Sequence, residues 1–596
     1  MSVRWNLDDI LPESQFDELY ARAEKDLETF IAKKSLLSPS MSKKDFVDLL
    51  KLEDSISEDL YRLYDMPALR ESANSSDTLA QKLKGRALQL LVQAEDAVRF
   101  FSHWIKGKDV EGVDTLDDNN ARRLFAASKP HRHILERARE LAAHTLTEPE
   151  ERLATLKDAN LRETLQDVRR QLETAQTFRF KPVSAKRSKT IATQSELMQY
   201  VHDPRPDYRE AAYRSLFDVY KNNLPLYFFV FQGIQKDWDA MAGLRGYESP
   251  IAMRNVSNDL MSGSVELLLE VCRRNAPLFQ RFFRLKARLL KQKKLSRFDL
   301  YAPYPDTPDE RISYGDAVDL VMNTFTDFHQ PFADRARRII DEQHIDSHPR
   351  KEKSSGAFCA TVTPSITPYV LLNYTGRLRD VSVIAHELGH GVHSLYANGQ
   401  TIAGQNPTLP LAETASTFGE LLVFERLLAS YDEQAAAALL FDKLSDSYAT
   451  VMRQAYFARF EIEAHSAVAA GVTAEELSDI YFSTLTEQFG DSVDVDELFR
   501  YEWSYIPHMV KTPFYVYAYA FGELLSLALF ARYKAEGDSF IPKIEEILIS
   551  GRTSYPHTIL KKCDIDISSD SFWQGSFDLV EGWLEKLSKI FSHEKI

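Results

Sequence analysis

His386 and His390 stand four residues apart with Glu387 between them, in the run His386-Glu387-Leu388-Gly389-His390. At about 100° per residue, positions four apart return to nearly the same face of an α-helix. Both imidazoles can then converge on one Zn²⁺, with Glu387 one step round, beside the metal's open side. Two histidines and a more distant acid leave a coordination position for water, which the metal acidifies towards neutral pH. The intervening carboxylate can take that water's proton as it attacks a carbonyl. This pattern is a metalloprotease signature. Histidine is scarce, 15 in 596 residues, so a chance match on a solvated helix is the weaker reading.

The flanks support a rigid, largely buried helix. Asp380 is expected to cap it, and apolar residues run from Val381 through Leu388, Val392 and Leu395. Gly389 and Gly391 each cost about 1 kcal/mol relative to Ala inside a helix, which suggests bare backbone left for another element to approach. A third metal ligand is required. A third His ten residues after the first is absent, because that position is Tyr396. His393 shares the histidine face, but seven residues of helix rise about 10 Å, which is too far for the same ion. Packing or support of a ligand is the better role for it. After a loop at 404–410 comes a second expected helix, Leu411-Ala412-Glu413-Thr414-Ala415-Ser416-Thr417-Phe418-Gly419-Glu420. Glu413 is the natural third ligand, completing a His₂Glu set with one Zn²⁺ per chain. Glu420, on the same stripe, either orients a histidine from behind or lies on a solvated face.

Landmarks along the whole chain carry a family resemblance. His386-Glu387-Leu388-Gly389-His390-Gly391-Val392-His393-Ser394 followed by Ala412-Glu413-Thr414-Ala415-Ser416 resembles the oligoendopeptidase F branch of the thimet oligopeptidase family. So do the opening Trp5-Asn6-Leu7-Asp8-Asp9-Ile10, the runs 299–303 and 369–376, Pro507-His508 with 513–520, and Phe572-Trp573. Asn6 where an acid is common, Gly391, and the loop 400–409 depart from the usual pattern. The resemblance implies two largely helical halves enclosing a deep channel, narrow enough to admit unfolded peptides only. It also implies a substrate-binding His and Tyr set at 508–519.

That last segment has its own local logic. Thr512 is expected to cap, and Pro513 to open, a helix that places Tyr515 and Tyr519 on one face and Tyr517 elsewhere. Alone, such a run is more often core packing. With the resemblance, His508, Tyr515 and Tyr519 become oxyanion-binding candidates, with Tyr517 the alternative if the register differs.

Composition sets the surroundings. With 44% hydrophobic and 27% charged residues the chain is globular, and its charge of −15 argues against nucleic-acid binding. The basic cluster 284–294 reads as a solvated helix face. The apolar stretch 514–531 reads as a core helix because tyrosines and Glu523 interrupt it, so no membrane span is expected. Cys272, Cys359 and Cys563 are scattered and odd in number, which fits a reducing compartment. No secretory signal is visible at the start, and a cytoplasmic location is expected.

Helical patterns dominate residues 11–298 and everything after 380. The turn signals at 203–207 are the expected boundary between a helical N-terminal domain, 1–203, and a helical zincin-type catalytic domain, 204–596. Pro303, Pro305 and Pro308 mark a connection. Residues 357–362 and 369–374 read as short strands, giving a mostly α fold with one small sheet. The strand at 369–374, just before the metal helix, is a candidate edge for pairing with a peptide backbone.

The expected activity is zinc-dependent cleavage of internal bonds in oligopeptides, with Glu387 as the general base. Two alternatives stay open: removal of C-terminal dipeptides, and a non-catalytic helical peptide-binding scaffold. Retention of Glu387, which metal binding alone does not need, argues against the scaffold. Oligomeric state is not legible.

Overall fold

The computed structural model describes residues 3–305 and 311–592, so Pro308 lies outside the described residues. The chain is 71% helical, and three small sheets occur among the described residues, which makes the fold mostly α as expected. It forms two compact units, each assembled from separate stretches. The first comprises Met1–Arg152, Asp309–Arg426 and Arg532–Ile565; the second comprises Leu153–Pro308, Leu427–Ala531 and Asp566–Ile596. The turn expected to divide the chain at 203 falls within the second unit, where Pro206 opens the helix Pro206–Asn222.

In the first unit, three helices, Phe16–Ala32, Lys43–Ala73 and Thr78–Ile105, pack around Phe30, Phe46, Phe101 and Trp104. Ser42 and Asp77 cap the second and third by accepting N–H bonds from Asp45 and Ala80. Their core continues into Val362 and Tyr369, so the N-terminal helices support the sheet that precedes the metal helix. The N-terminal opening is tied to the same place. Asn6 N–H donates to the Gln343 carbonyl at 3.0 Å, Asp9 lies 3.0 Å from His344 Nε2, and Trp5 packs on Tyr369 and Phe358.

That sheet has the order Ile345–Asp346, Tyr369–Leu371, Phe358–Ala360. The first pair is parallel, and the second is antiparallel with Cys359 opposite Val370. Tyr369–Leu371, expected at the edge, is therefore the central strand and is fully buried. The edges are Ile345–Asp346 and Phe358–Ala360, and the half-buried side chains of the latter lie against the metal helix. A wholly apolar Tyr-Val-Leu run suits a strand covered on both sides.

The second unit is organised around buried charge. Glu502, wholly buried, accepts from Arg297 at 2.8 Å, Arg453 at 3.1 Å and the Tyr481 hydroxyl at 2.8 Å. The basic cluster differs in one respect from a solvated face: Lys286, in the helix Ala276–Leu289, is buried and donates to the Leu300 carbonyl at 2.8 Å. Burial pushes its pKa down to about 7. The apolar stretch becomes a buried helix, Tyr517–Glu536, and among the described residues no helix is long and apolar enough to cross a membrane.

Candidate active site

The metal helix runs from Leu378 to Tyr396. Asp380 is not its cap but its third residue, and its carboxylate reaches back to the N–H groups of Arg377 at 3.1 Å and Thr375 at 2.7 Å. Those donors would otherwise be orphaned at the helix start, and an acid there also favours the helix dipole. Val381, Ile384, Ala385, Leu388 and Val392 are all buried, so the helix is fixed on several sides.

Gly389 sets how close the next element comes. A methyl group there would lie 2.5 Å from Ser416 Cα and 2.6 Å from the Ala415 carbonyl oxygen. Gly419 mirrors it, since its added methyl would meet the Ala385 carbonyl oxygen at 3.3 Å. The metal helix and the helix Thr414–Ser430 thus touch backbone to backbone at two places. The segment expected to be one helix from 411 breaks at Glu413, after the turn Leu409–Ala412. Its carbonyl accepts the Thr417 N–H at 3.0 Å, which makes Glu413 the hinge into the new helix. The buried Ser416 hydroxyl lies 3.1 Å from Glu413 Oε2 and holds the carboxylate towards the histidines.

The outcome is a compact donor set. Glu413 Oε2 is 3.4 Å from His386 Nε2 and 3.4 Å from His390 Nε2, and the two rings stand almost perpendicular. All three ligand atoms lie within 4.8 Å of one another. Zinc with bonds near 2.0–2.1 Å puts adjacent tetrahedral ligands about 3.3 Å apart, so these spacings suit that ion. The donors are chemically suited too, being two imidazoles and one carboxylate with part of each exposed. Glu420 Oε2 stands 3.5 Å from His386 Nδ1, the position of a group that fixes the ring's tautomer and leaves the Nε2 lone pair for a metal. This favours the orienting role over the solvated face. His393 is 3% exposed, lies outside the donor set, and is pushed down to about 3 by burial and by His390.

The site's own field is uneven. Burial pulls the His386 pKa down, but Glu420, Glu413 and Glu387 together outweigh it and lift it to about 9. His390, desolvated beside that cation, falls to about 4 despite Glu413. Burial raises Glu387 to about 7; the charge of His386 opposes the rise and that of Glu413 adds to it. A carboxyl that titrates near neutrality is matched to taking and returning a proton. Cys359, on the edge strand, also feels the Glu387 charge, and burial pushes its thiol well up. It is half-buried, whereas Cys272 and Cys563 are buried.

In the second unit, His508, Tyr515 and Tyr519 come together as expected, by a different backbone route. Residues 512–516 form a turn rather than the start of a helix, with Phe514 left-handed at φ 56°, and the helix begins at Tyr517. The Tyr515 and Tyr519 rings are 5.1 Å apart and perpendicular, and the Tyr519 hydroxyl is 3.5 Å from His508 Nε2. All three are half-exposed. Tyr517 is buried with its hydroxyl accepting from Asn258 Nδ2 at 2.8 Å, so its role is packing. Burial, followed by the charges of Arg453, Lys511 and Arg169, lowers the His508 pKa.

Sequence reasoning missed what holds this turn. Glu461 Oε1 accepts the Phe514 N–H at 2.8 Å, Arg254 Nε donates to the Pro513 carbonyl at 3.0 Å, and His465 stacks on Phe514. A buried acid four residues before a buried histidine on one helix, Arg453–Ala469, was the available signal.

Two imidazoles and a carboxylate around one point, with a titratable acid beside them, define a metallopeptidase class of site. The model of peptidase family M3 matches residues 199–579, and the chain belongs to that family; it is a metalloendopeptidase. It is 24% identical to oligopeptidase PepF of Bacillus subtilis over 99% of this chain and 88% of the relative. It is 26% identical to an oligoendopeptidase F homologue of Lactococcus lactis subsp. lactis over 90% and 88%. Among solved structures, oligoendopeptidase-F from Enterococcus faecium shares the fold with a TM-score of 0.72 at 23% identity, over 98% of this chain and 100% of that one.

Proposed function

We propose that this protein is a zinc-dependent oligoendopeptidase that hydrolyses internal bonds of short, unstructured peptides, with residues 204–596 as its catalytic part. The observation that carries the metal assignment is the pair of 3.4 Å spacings from Glu413 Oε2 to the two histidine Nε2 atoms. His386, His390 and Glu413 would hold one Zn²⁺. Bound there, zinc supplies a Lewis acid that polarises the scissile carbonyl and acidifies water. Glu387 takes the proton from the attacking water and returns it to the leaving amine. Glu420 keeps the His386 ring in the required tautomer. The Tyr515 and Tyr519 hydroxyls and the neutral His508 donate to the carbonyl oxygen as it gains charge.

Substrate backbone is expected to pair with the free edge of Phe358–Ala360, because main-chain hydrogen bonds ignore side-chain identity. The names of the relatives support oligopeptides as substrates. A cytoplasmic location is proposed from the odd, scattered cysteines, and nucleic-acid and membrane partners are not expected.

The deciding experiment is digestion of a mixed peptide library by zinc-loaded protein, comparing wild type with Glu387→Gln. The amide keeps the shape and loses the basic oxygen, so the variant should retain zinc and fold while turnover nearly vanishes. Near-normal cleavage by the zinc-loaded variant removes Glu387 from its role. Products released only as C-terminal dipeptides would replace the endopeptidase reading.

A further inference from the structure

Among the described residues of the second unit, two guanidinium groups stand outside any ion pair, beside the turn that bears Tyr515. Arg162 lies on the helix Glu148–Thr174, four and seven residues before Gln166 and Arg169. Gln166 Nε2 donates to the Lys511 carbonyl at 3.3 Å and Arg169 Nη2 to that of Ser504 at 3.0 Å. The helix face they share with Arg162 is thus turned towards the segment bearing His508. Arg162 Cζ stands 5.8 Å from the centre of the Trp238 indole, and Arg254 Cζ stands 5.1 Å from the same indole. Arg254 also reaches the Pro513 carbonyl, two residues before Tyr515.

Among the described residues neither arginine forms an ion pair, and Arg162 Nε is a buried atom with no hydrogen-bond partner. The neighbouring acids are engaged elsewhere. Asp158, one turn before Arg162, lies 3.1 Å from Lys157 Nζ, and Lys157 also holds Asp237. Asp239 is paired with His465 at 2.5 Å. Glu461 accepts the Phe514 N–H through Oε1, and burial pushes its pKa up to about 8 against the pulls of that N–H and of Arg254, which weakens it as a counter-charge near neutrality. Burial lowers the Arg254 pKa; Tyr517 and Glu461 oppose the fall, and Arg162, a like charge beside the same indole, adds to it. Both residues are half-exposed. A guanidinium presents parallel N–H groups that match a carboxylate, and the indole face keeps the planar groups in place.

We propose that Arg162 and Arg254 form a carboxylate-binding subsite for the peptide substrate, built around Trp238 beside the Tyr515 turn. This rests on the peptidase reading above. The carboxylate is either the α-carboxylate at the peptide's C terminus or an Asp or Glu side chain, and both present the same chemistry.

The test uses zinc-loaded protein and one cleavable peptide in four forms. These carry a free or amidated C terminus, each with a single downstream Glu or its Gln counterpart. A hydrogen-bonded charge of this kind should raise kcat/KM about tenfold for the recognised form, mainly through KM, and the advantage should shrink at high salt. The form that carries the advantage names the source. In Arg162→Gln the ratio between charged and neutral forms should fall to about one, with an unchanged melting temperature as the folding control. Calorimetric binding of the same peptides to zinc-loaded Glu387→Gln should show the same preference without turnover. Equal use of all four forms by wild type, or a preference kept intact in Arg162→Gln, overturns the subsite. If wild type cleaves all four equally, only the subsite fails; if it cleaves no peptide at all, the peptidase reading fails.

Discussion

His386 meets a carboxylate at each ring nitrogen, Glu413 at Nε2 and Glu420 at Nδ1, and the two acids do different work. Removing the first deletes a proposed ligand; removing the second leaves the ligand in place but lets its ring turn. Glu413→Ala should therefore lose most zinc affinity, and Glu420→Ala about 10–100-fold, measured by competition with a chelator. A larger loss at Glu420 would exchange their roles. Proton linkage gives an independent check. In the metal-free protein His386, lifted to about 9, carries a proton at pH 7, and an imidazole must shed it to bind a metal. Zinc loading at pH 7 should thus release a proton from His386, and apparent affinity should rise as pH climbs from 7 to 9, then level off. Calorimetry in buffers of different ionisation enthalpy measures that proton directly. These residues were legible in the sequence because helical spacing alone gathers His386 and His390, and the next acid beyond the loop is Glu413. Glu461, Arg162 and Arg254 were not, since their significance depends on partners 53, 76 and 259 residues away.

Elements carry the parts that local signals misread. Thr512-Pro513 has the composition of a helix start, yet the Phe514 N–H goes to Glu461 and the backbone turns left-handed instead. A non-glycine residue there costs about 1–3 kcal/mol, which the surrounding anchors must offset. Tyr515 and Tyr519 nevertheless still meet after the shift, while Tyr517 turns inward. Tyr519→Phe should lower kcat by about 10²–10³, with KM and zinc content nearly constant, if its hydroxyl donates to the oxyanion. Tyr517→Phe should instead lower the melting temperature and leave kcat close to normal. The reverse pattern in steady-state kinetics and thermal melts would return Tyr519 to the core. Similarly, an apolar run just before the metal helix was readable as a strand, but edge and centre look alike until pairing is known. Gly389 shows the opposite case, a sequence oddity whose cause, the backbone of Ser416 pressed against it, is visible only in three dimensions.

At the scale of the molecule, helical content was readable from periodicity, but the assembly of each unit from separate stretches was not. Turn residues at 203–207 punctuate a helix start inside one unit, whereas the chain passes between units at positions such as 152, within the continuous helix Glu148–Thr174. No local breaker marks such a place. The proposed oligopeptidase activity predicts a size limit: short unstructured peptides are cut, and a stably folded protein survives prolonged incubation. Mass spectrometry of both substrates in one tube decides it, and efficient cleavage of the folded protein contradicts the limit.

The same division of the chain bears on how the protein is made. Helix Ile541–Ser550 packs behind the metal helix, with Glu545 accepting from the Tyr396 hydroxyl and the Gly404 carbonyl accepting the Arg552 N–H. The N-terminal helices emerge from the ribosome first, but the unit to which they belong cannot close until that late segment appears. At 5–20 residues per second this interval is roughly 20–80 s, during which the first unit lacks its last stretch. Completion of the first unit thus awaits synthesis of nearly the whole chain instead of following the N-terminal helices off the ribosome.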